Sequence, residues 1–329
     1  MTIPLSVWFP RVILLAIVCT GILWPSAWQP VVSALYRYLY TWPFFNRSFF
    51  ETVETVLCYI TIEPIYTARF ARNPSRRIDV RDGANSGNKA RPKLPKMKRP
   101  SRRLRELLIY VSPLLLLDLT LIKKYAGVDI NAIRVSGGYP PASPTTPGHI
   151  KTTFLAPTLH RFSWKSPLQL VRALPHEPPT SRRVLLELAV SLFIYDALFF
   201  VIHIAFHRIR ALHRIHGPHH GHLEIHPQVT NRLSVAERVS LILLANFSLN
   251  IIGSHVLTRT LFVPVFVYLL IEVHSGVDLD WQYDKILPQG WGAGPRKHAL
   301  HHREGKRFYQ PFFCWWDNWL ESLEGARID

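Results

Sequence analysis

Three histidine clusters carry the chemistry that this sequence can do. His203 and His207 form an HxxxH pair, and His216, His219 and His220 form an HxxHH box. His298, His301 and His302 repeat the HxxHH pattern. On a helix, positions i, i+3 and i+4 fall within an arc of roughly 100°, so each cluster can aim its imidazoles at one point. Neutral imidazole is a ligand suited to iron and zinc. Eight such nitrogens exceed what one metal takes, which implies two metals. A lone i, i+4 pair would mean little, but histidine-rich tracts do not repeat HxxHH at the ends of apolar helices. No HExxH occurs, which excludes the zinc-metalloprotease arrangement.

Apolar segments must position these clusters. Hydrophobic residues are 48% of the 329-residue chain and are bunched into runs. Six segments are candidates for a bilayer: Trp8 to Trp24, Phe49 to Phe70, Leu104 to Ile122, Val184 to Ile202, Val239 to Ile252 and Leu257 to Ile271. The first reads as an anchor rather than a signal peptide. The second is interrupted by Glu51, Glu54 and Glu63, so an interfacial helix is an equal reading. The last two flank Gly253-Ser254-His255 as a helical hairpin. His216 with Pro218 fits the start of a further helix, the proline lying in its first turn.

The net charge of +17 suits either nucleic acid or anionic lipid, and the long apolar runs favour lipid. Nucleic acid is not an expected partner, because no aromatic interleaving accompanies the charge. Cys19, Cys58 and Cys314 are far apart and read as free thiols. The chain divides into N-terminal membrane segments (1–68), a basic disordered linker (69–103) and a catalytic membrane domain (104–329). The expected fold class is all-α: a polytopic membrane helical bundle with a cytosolic, histidine-rich dimetal cap.

Parity supports that cap. With the basic linker in the cytoplasm, the third segment leaves and the fourth returns, so His203 emerges on the cytoplasmic side. The last two segments go out and back, and the C-terminal histidines follow on the same side. This topology puts Lys123, Lys124, Arg182 and Arg183 on the opposite face, against the positive-inside trend.

At these residues the chain resembles the fatty acid hydroxylase and sterol desaturase superfamily of integral membrane non-haem diiron enzymes. The resemblance runs from about Tyr195 to Leu320. It rests on the three boxes and the short gap from His207 to His216. It also rests on Asp196 ahead of the first box, His274-Ser275-Gly276-Val277-Asp278, Phe308-Tyr309 and Trp316-Asp317-Asn318-Trp319. It implies His274 as a ninth ligand, with Asp196, Glu272, Asp278 and Asp317 as supports around the ligands. It further implies two iron ions, with zinc able to replace them in purified protein. The implied reaction uses O2 to hydroxylate or desaturate a lipid, in the endoplasmic reticulum membrane. No cytochrome b5 His-Pro-Gly-Gly or flavin-type GxGxxG occurs, so electrons would come from NAD(P)H through a separate cytochrome b5 or its reductase. Asn231 and Ser234 stand where many sterol-type members carry further histidines, and Glu321-Ser322 replaces their Gly-Thr. These departures suggest a specialised member rather than a housekeeping one.

The leading expectation is a hydroxylase acting on a fatty-acyl or related aliphatic or isoprenoid chain. Sterol C-5 desaturase and C-4 methyl sterol oxidase share the same site and remain alternatives. A non-catalytic membrane metal- or haem-binding protein is the alternative from another class.

Overall fold

A computed structural model describes residues 4–79, 97, 104–142, 157–221 and 225–325. Helices dominate them. The N-terminal set is α1 (Leu5–Leu23), α2 (Pro25–Thr41), α3 (Phe50–Arg72), α4 (Leu104–Thr120) and α5 (Ile130–Ser136). The catalytic set is α6 (Ser181–Arg208), α7 (Arg210–His220), α8 (Val235–Ile251), α9 (Val256–Val273), α10 (Tyr283–Ile286), α11 (Gly294–Glu304) and α12 (Trp315–Gly325). One small antiparallel pair, β1 (Leu121–Ile122) and β2 (Thr158–Leu159), joins Leu121 to Leu159.

α1, α6 and α9 are long and apolar enough to cross a membrane. α3, α4 and α8 occupy the other three expected segments. The 17 residues of α4 and of α8 reach only about 25 Å, short of the roughly 30 Å hydrocarbon layer. α2 was not expected, because Pro25 and Pro30 break up its apolar pattern. Pro25 is tolerated because it opens the helix, where an N–H would have no partner. Leu5, Phe9, Leu15 and Leu23 of α1 lie more than half exposed, as suits lipid rather than water.

α6 is the central element and packs on α1, α2, α7, α8 and α9, while α3 lies along α9. The main core gathers Tyr195 and Phe199 of α6, Leu244 of α8, Phe262 of α9 and Phe312. Lipid tails are as apolar as these side chains, so close packing and buried polar pairs hold such helices together. The largest buried pair network centres on Glu51 of α3. It accepts from Arg172 (3.0 Å), Arg259 (3.2 Å) and Lys123 (3.3 Å), and Lys123 also pairs with Asp118 (2.7 Å). Lys123 is therefore absorbed into the bundle. Arg183 pairs with Glu187, and Arg182 donates to the Ile22 carbonyl. Arg11, the one charge in α1, donates to the carbonyls of Lys285, Ile286 and Leu287. It thereby caps the end of α10.

The boundary expected at residue 69 shifts. Residues 69–72 complete α3, and Ile78 N–H donates to the Gly276 carbonyl at 2.9 Å. The remainder of that basic linker, apart from Met97, lies outside the described residues. Pro218 is not in a first turn either. α7 starts at Arg210, and Pro218 sits in its last turn. Its absent N–H forgoes the bond to the Arg214 carbonyl, and the helix ends two residues later at His220, with Gly221 as its C-cap.

Candidate metal centre

The histidines converge where α6, α7, α9 and α11 end together. The local reasons are legible. α6 is a long apolar helix capped by Thr180, whose hydroxyl accepts from Arg183 N–H, and it carries His203 and His207 at its far end. α9 runs beside it and stops at His274, its C-cap. Gly276 then reverses the chain at φ 66°, and a Cβ there would lie 2.0 Å from the Ile225 carbonyl oxygen. α11 opens on Gly294-Pro295, with proline in its first turn.

Two groups of ring nitrogens form, each within 4.8 Å: His203, His207, His216, His220 and His301, and separately His219, His274, His298 and His302. The expectation that each box aims at one point is corrected. His216 and His220 serve the first group while His219 serves the second. His298 and His302 serve the second while His301 serves the first. At 100° per residue, i+4 returns to within about 40° of i, whereas i+3 and i+4 diverge by a full 100°. The i, i+4 pairs therefore share a centre, and the i+3 histidine reaches its neighbour.

The tautomers show what these groups can hold. His203 Nδ1–H donates to the Tyr309 carbonyl at 2.7 Å, and His301 Nδ1–H to the Arg307 carbonyl at 2.6 Å. A carbonyl only accepts, so each Nδ1 carries the proton and each neutral ring presents a bare Nε2 lone pair. Those Nε2 atoms lie 3.0 Å apart. His274 Nδ1–H likewise donates to Leu270, and its Nε2 lies 2.9 Å from that of His298. Lone pairs facing each other at this distance repel unless a cation lies between them. Burial, reinforced by neighbouring imidazoles, pushes His216 down to about 2, and burial pushes His274 down to about 4. Both rings are thus neutral at pH 7, the state in which imidazole ligates. The donor set fits two metal ions with nitrogen preference.

The supporting carboxylates act at one remove. Asp196 accepts from the backbone N–H of Phe312 and Phe313 and from Gln310, and Asp317 accepts from the N–H of Tyr309 and Gln310. Neither touches an imidazole. Together they fix the loop whose carbonyls hold His203 and His301. Within that loop Phe308 takes φ 58°, an uncommon state for a side-chain-bearing residue, between the two accepting carbonyls. Glu272 accepts from Tyr66, Tyr268 and the N–H of Tyr283, which fixes the chain on either side of His274. Asp278 pairs with Lys285 and is partly exposed, so it touches no ligand-type histidine.

Sequence reasoning overlooked Glu237, whose Oε1 accepts from His216 Nδ1–H at 2.6 Å. Ser234-Val-Ala-Glu237 has the S-x-x-E spacing of a capping box, and Ser234 does cap α8. The signal was a carboxylate in the first turn of an apolar helix, 21 residues from His216 in sequence and brought to it only by folding. Asn231 and Ser234 supply no ring nitrogen. Asn231 accepts from Arg238, and both groups are complete without them.

From this centre a cavity of about 270 Å³ runs back into the bundle between α3, α4, α6, α8 and α9. His203, His219, His274 and His298 stand at one end, with Phe199, Phe262, Phe266 and Leu270 along its walls.

Fold and centre together define an integral membrane helical protein with paired histidine clusters. Residues 188–322 match the fatty acid hydroxylase family, and through that region the chain is similar to members of the fatty acid hydroxylase and sterol desaturase superfamily. It is 31% identical to human cholesterol 25-hydroxylase over 188 residues, covering 55% of this chain and 64% of the relative. It is 31% identical to the rat cholesterol 25-hydroxylase over 160 residues, covering 46% and 52%. A methylsterol monooxygenase of Aspergillus fumigatus is 31% identical over 68 residues, covering 21% and 22%. The chain spans about half to two thirds of the length of the cholesterol 25-hydroxylases it matches. No solved structure matches it.

Proposed function

We propose that the chain is an O2-dependent membrane hydroxylase of a sterol or related aliphatic lipid, with two iron ions held by nine histidines. The observation that carries this reading is the juxtaposition of the paired imidazole groups with an apolar cavity that leads directly from them into the bundle. The alignment with cholesterol 25-hydroxylases supports a sterol over a free fatty acid.

In this reading His203, His207, His216, His220 and His301 hold one ion, and His219, His274, His298 and His302 hold the other. When bound, the two ions supply O2 activation and removal of hydrogen from an unactivated C–H bond. The chain's own part is positioning. The Tyr309, Arg307 and Leu270 carbonyls and the Glu237 carboxylate fix the tautomers of the imidazoles that they touch. Phe199, Phe262, Phe266 and Leu270 exclude water and align an apolar chain. Hydroxylation is favoured over desaturation by the sterol hydroxylase relatives. Electrons are assigned to a cytochrome b5-type donor reduced by NAD(P)H. The centre faces the cytosol, in the endoplasmic reticulum membrane.

The test incubates membranes containing the chain with cholesterol, O2, NADPH, cytochrome b5 and its reductase. Mass spectrometry should show a sterol gaining one oxygen. A product that has instead lost two hydrogens, or no product, would overturn the reading.

A further inference from the structure

The far end of the cavity is polar, and nothing in the metal chemistry uses it. Arg259, in the first turn of α9, lines the cavity together with Glu51, Asp118, Lys123, Asn246 and Asn250. Arg259 and His274 stand at opposite ends of α9, so at 1.5 Å per residue they are about 22 Å apart. That separation is about three quarters of a roughly 30 Å hydrocarbon core. A charged cluster in an apolar bundle is costly, and replacing such pairs by packed apolar groups is often neutral or better for stability. Besides holding helices together, the cluster lines one end of the cavity, where its remaining donors can meet a ligand.

Resting on the sterol hydroxylase reading, we propose that this cluster anchors the hydroxyl group of an elongated lipid alcohol and so sets which carbon meets the metal centre. The hydrogen-bond inventory selects a hydroxyl. Arg259 is committed to Glu51, Asn246 and Asn250, and Arg172 to Glu51, Tyr125 and the Phe45 carbonyl. Little guanidinium is left for a full carboxylate. Among the described residues the Asn250 amide nitrogen has no partner, while its oxygen accepts from Arg259 at 2.9 Å. Lys123 bonds Glu51 and Asp118 and retains a third N–H. An alcohol can accept from either free donor and donate to a neighbouring carboxylate or amide oxygen. The substrate then lies with its hydroxyl at the membrane face opposite the histidines and its apolar tail against them. Oxidation falls at the end remote from the hydroxyl.

The experiment compares cholesterol with 5-cholestene, which lacks the hydroxyl, on the wild-type chain and on Asn250→Leu. The full chain is used in membranes with the reductase system. One hydrogen bond corresponds to about a tenfold preference in kcat/KM. Wild type should prefer the alcohol by about that factor, with the effect mainly in KM, and should oxidise one position remote from the hydroxyl. Asn250→Leu should lose the preference and give several positional products at unchanged metal content. Equal kcat/KM for both sterols on wild type overturns the anchor, even if the variant fails to accumulate. So does an Asn250→Leu variant with wild-type selectivity, or a wild type that prefers cholesteryl sulfate or a fatty acid. If wild type oxidises cholesterol, these failures strike the anchor alone. If it oxidises no sterol, the functional reading falls with it.

Discussion

Glu237 Oε1 lies 2.6 Å from His216 Nδ1, so a carboxylate from the first turn of α8 holds a ring on α7. The contact fixes which nitrogen of His216 carries the proton. It also raises the basicity of the other nitrogen, which lies 3.0 Å from His203 Nε2. Glu237→Ala should weaken metal retention about 10- to 100-fold, as such supports do elsewhere. Glu237→Gln keeps an accepting oxygen and should fall between the two. Chelator competition followed by elemental analysis of membranes measures this, and equal retention in all three chains would remove Glu237 from the centre.

His301→Ala and His219→Ala test the division of the boxes. Each removes one nitrogen from a different group. Both should abolish turnover while the chain stays in the membrane fraction, because the apolar spans are untouched. Each should also lower metal content selectively, by up to one ion per chain. Near-normal product from either variant would mean that the groups have been assigned wrongly.

Elemental analysis of active protein should give two metal ions per chain, and their removal by chelator should stop turnover. A value of one or fewer in active protein would contradict the paired centre.

His255 sits at the other end of α9. Its Nδ1 accepts from Leu257 N–H at 3.1 Å, and its Nε2–H donates to the Glu177 carbonyl at 3.1 Å. Burial pushes its pKa down to about 4. Arg183 adds to that, while Glu187 and the Glu177 carbonyl oppose it. A depressed histidine contributes its full stability above the unfolded value near 6.5, and that contribution is lost as pH falls from there towards 4. The loss is at most about 3 kcal/mol. His255→Asn keeps the cap without the titration, so its thermal midpoint in detergent should fall less than wild type between pH 7 and pH 5. Parallel pH curves for the two proteins would exclude this role. His255→Ala removes the cap and should cost about 1 kcal/mol while sparing turnover per folded chain.

Topology has its own test. A glycosylation sequon appended after Asp329 should stay unmodified if the centre faces the cytosol, and modification would reverse the orientation.

Much of the site was legible because its chemistry is written in local spacing. The three boxes, the span ends that carry them and His274 all come together as the sequence and its resemblance implied. What spacing could not show was the split of each HxxHH box between two centres, since that depends on how α7 and α11 are rotated. Asp196, Asp317 and Glu272 were legible as important but not in their roles. Their partners are backbone groups of loops, which no side-chain pattern reports. Glu237 was hidden because contact with His216 needs α8 to fold back over α7. The polar cluster around Glu51 was hidden for a similar reason. Its members come from α3, α4, the segment after β1, the segment before α6, and α9.

Pairing His203 with His301 joins residues 98 apart, and pairing His219 with His274 joins residues 55 apart. Two shared ions would therefore act as crosslinks that close long loops. In chain-entropy terms, closures of that length stabilise by several kcal/mol, like a disulfide of similar span. The helices can enter and pack in the bilayer without them, but the last turns of α6, α7 and α11 would not settle until both ions are in place. Metal supply would then govern how long a newly made chain survives, as well as whether it turns over. Iron-starved cells should carry less of this protein at unchanged message.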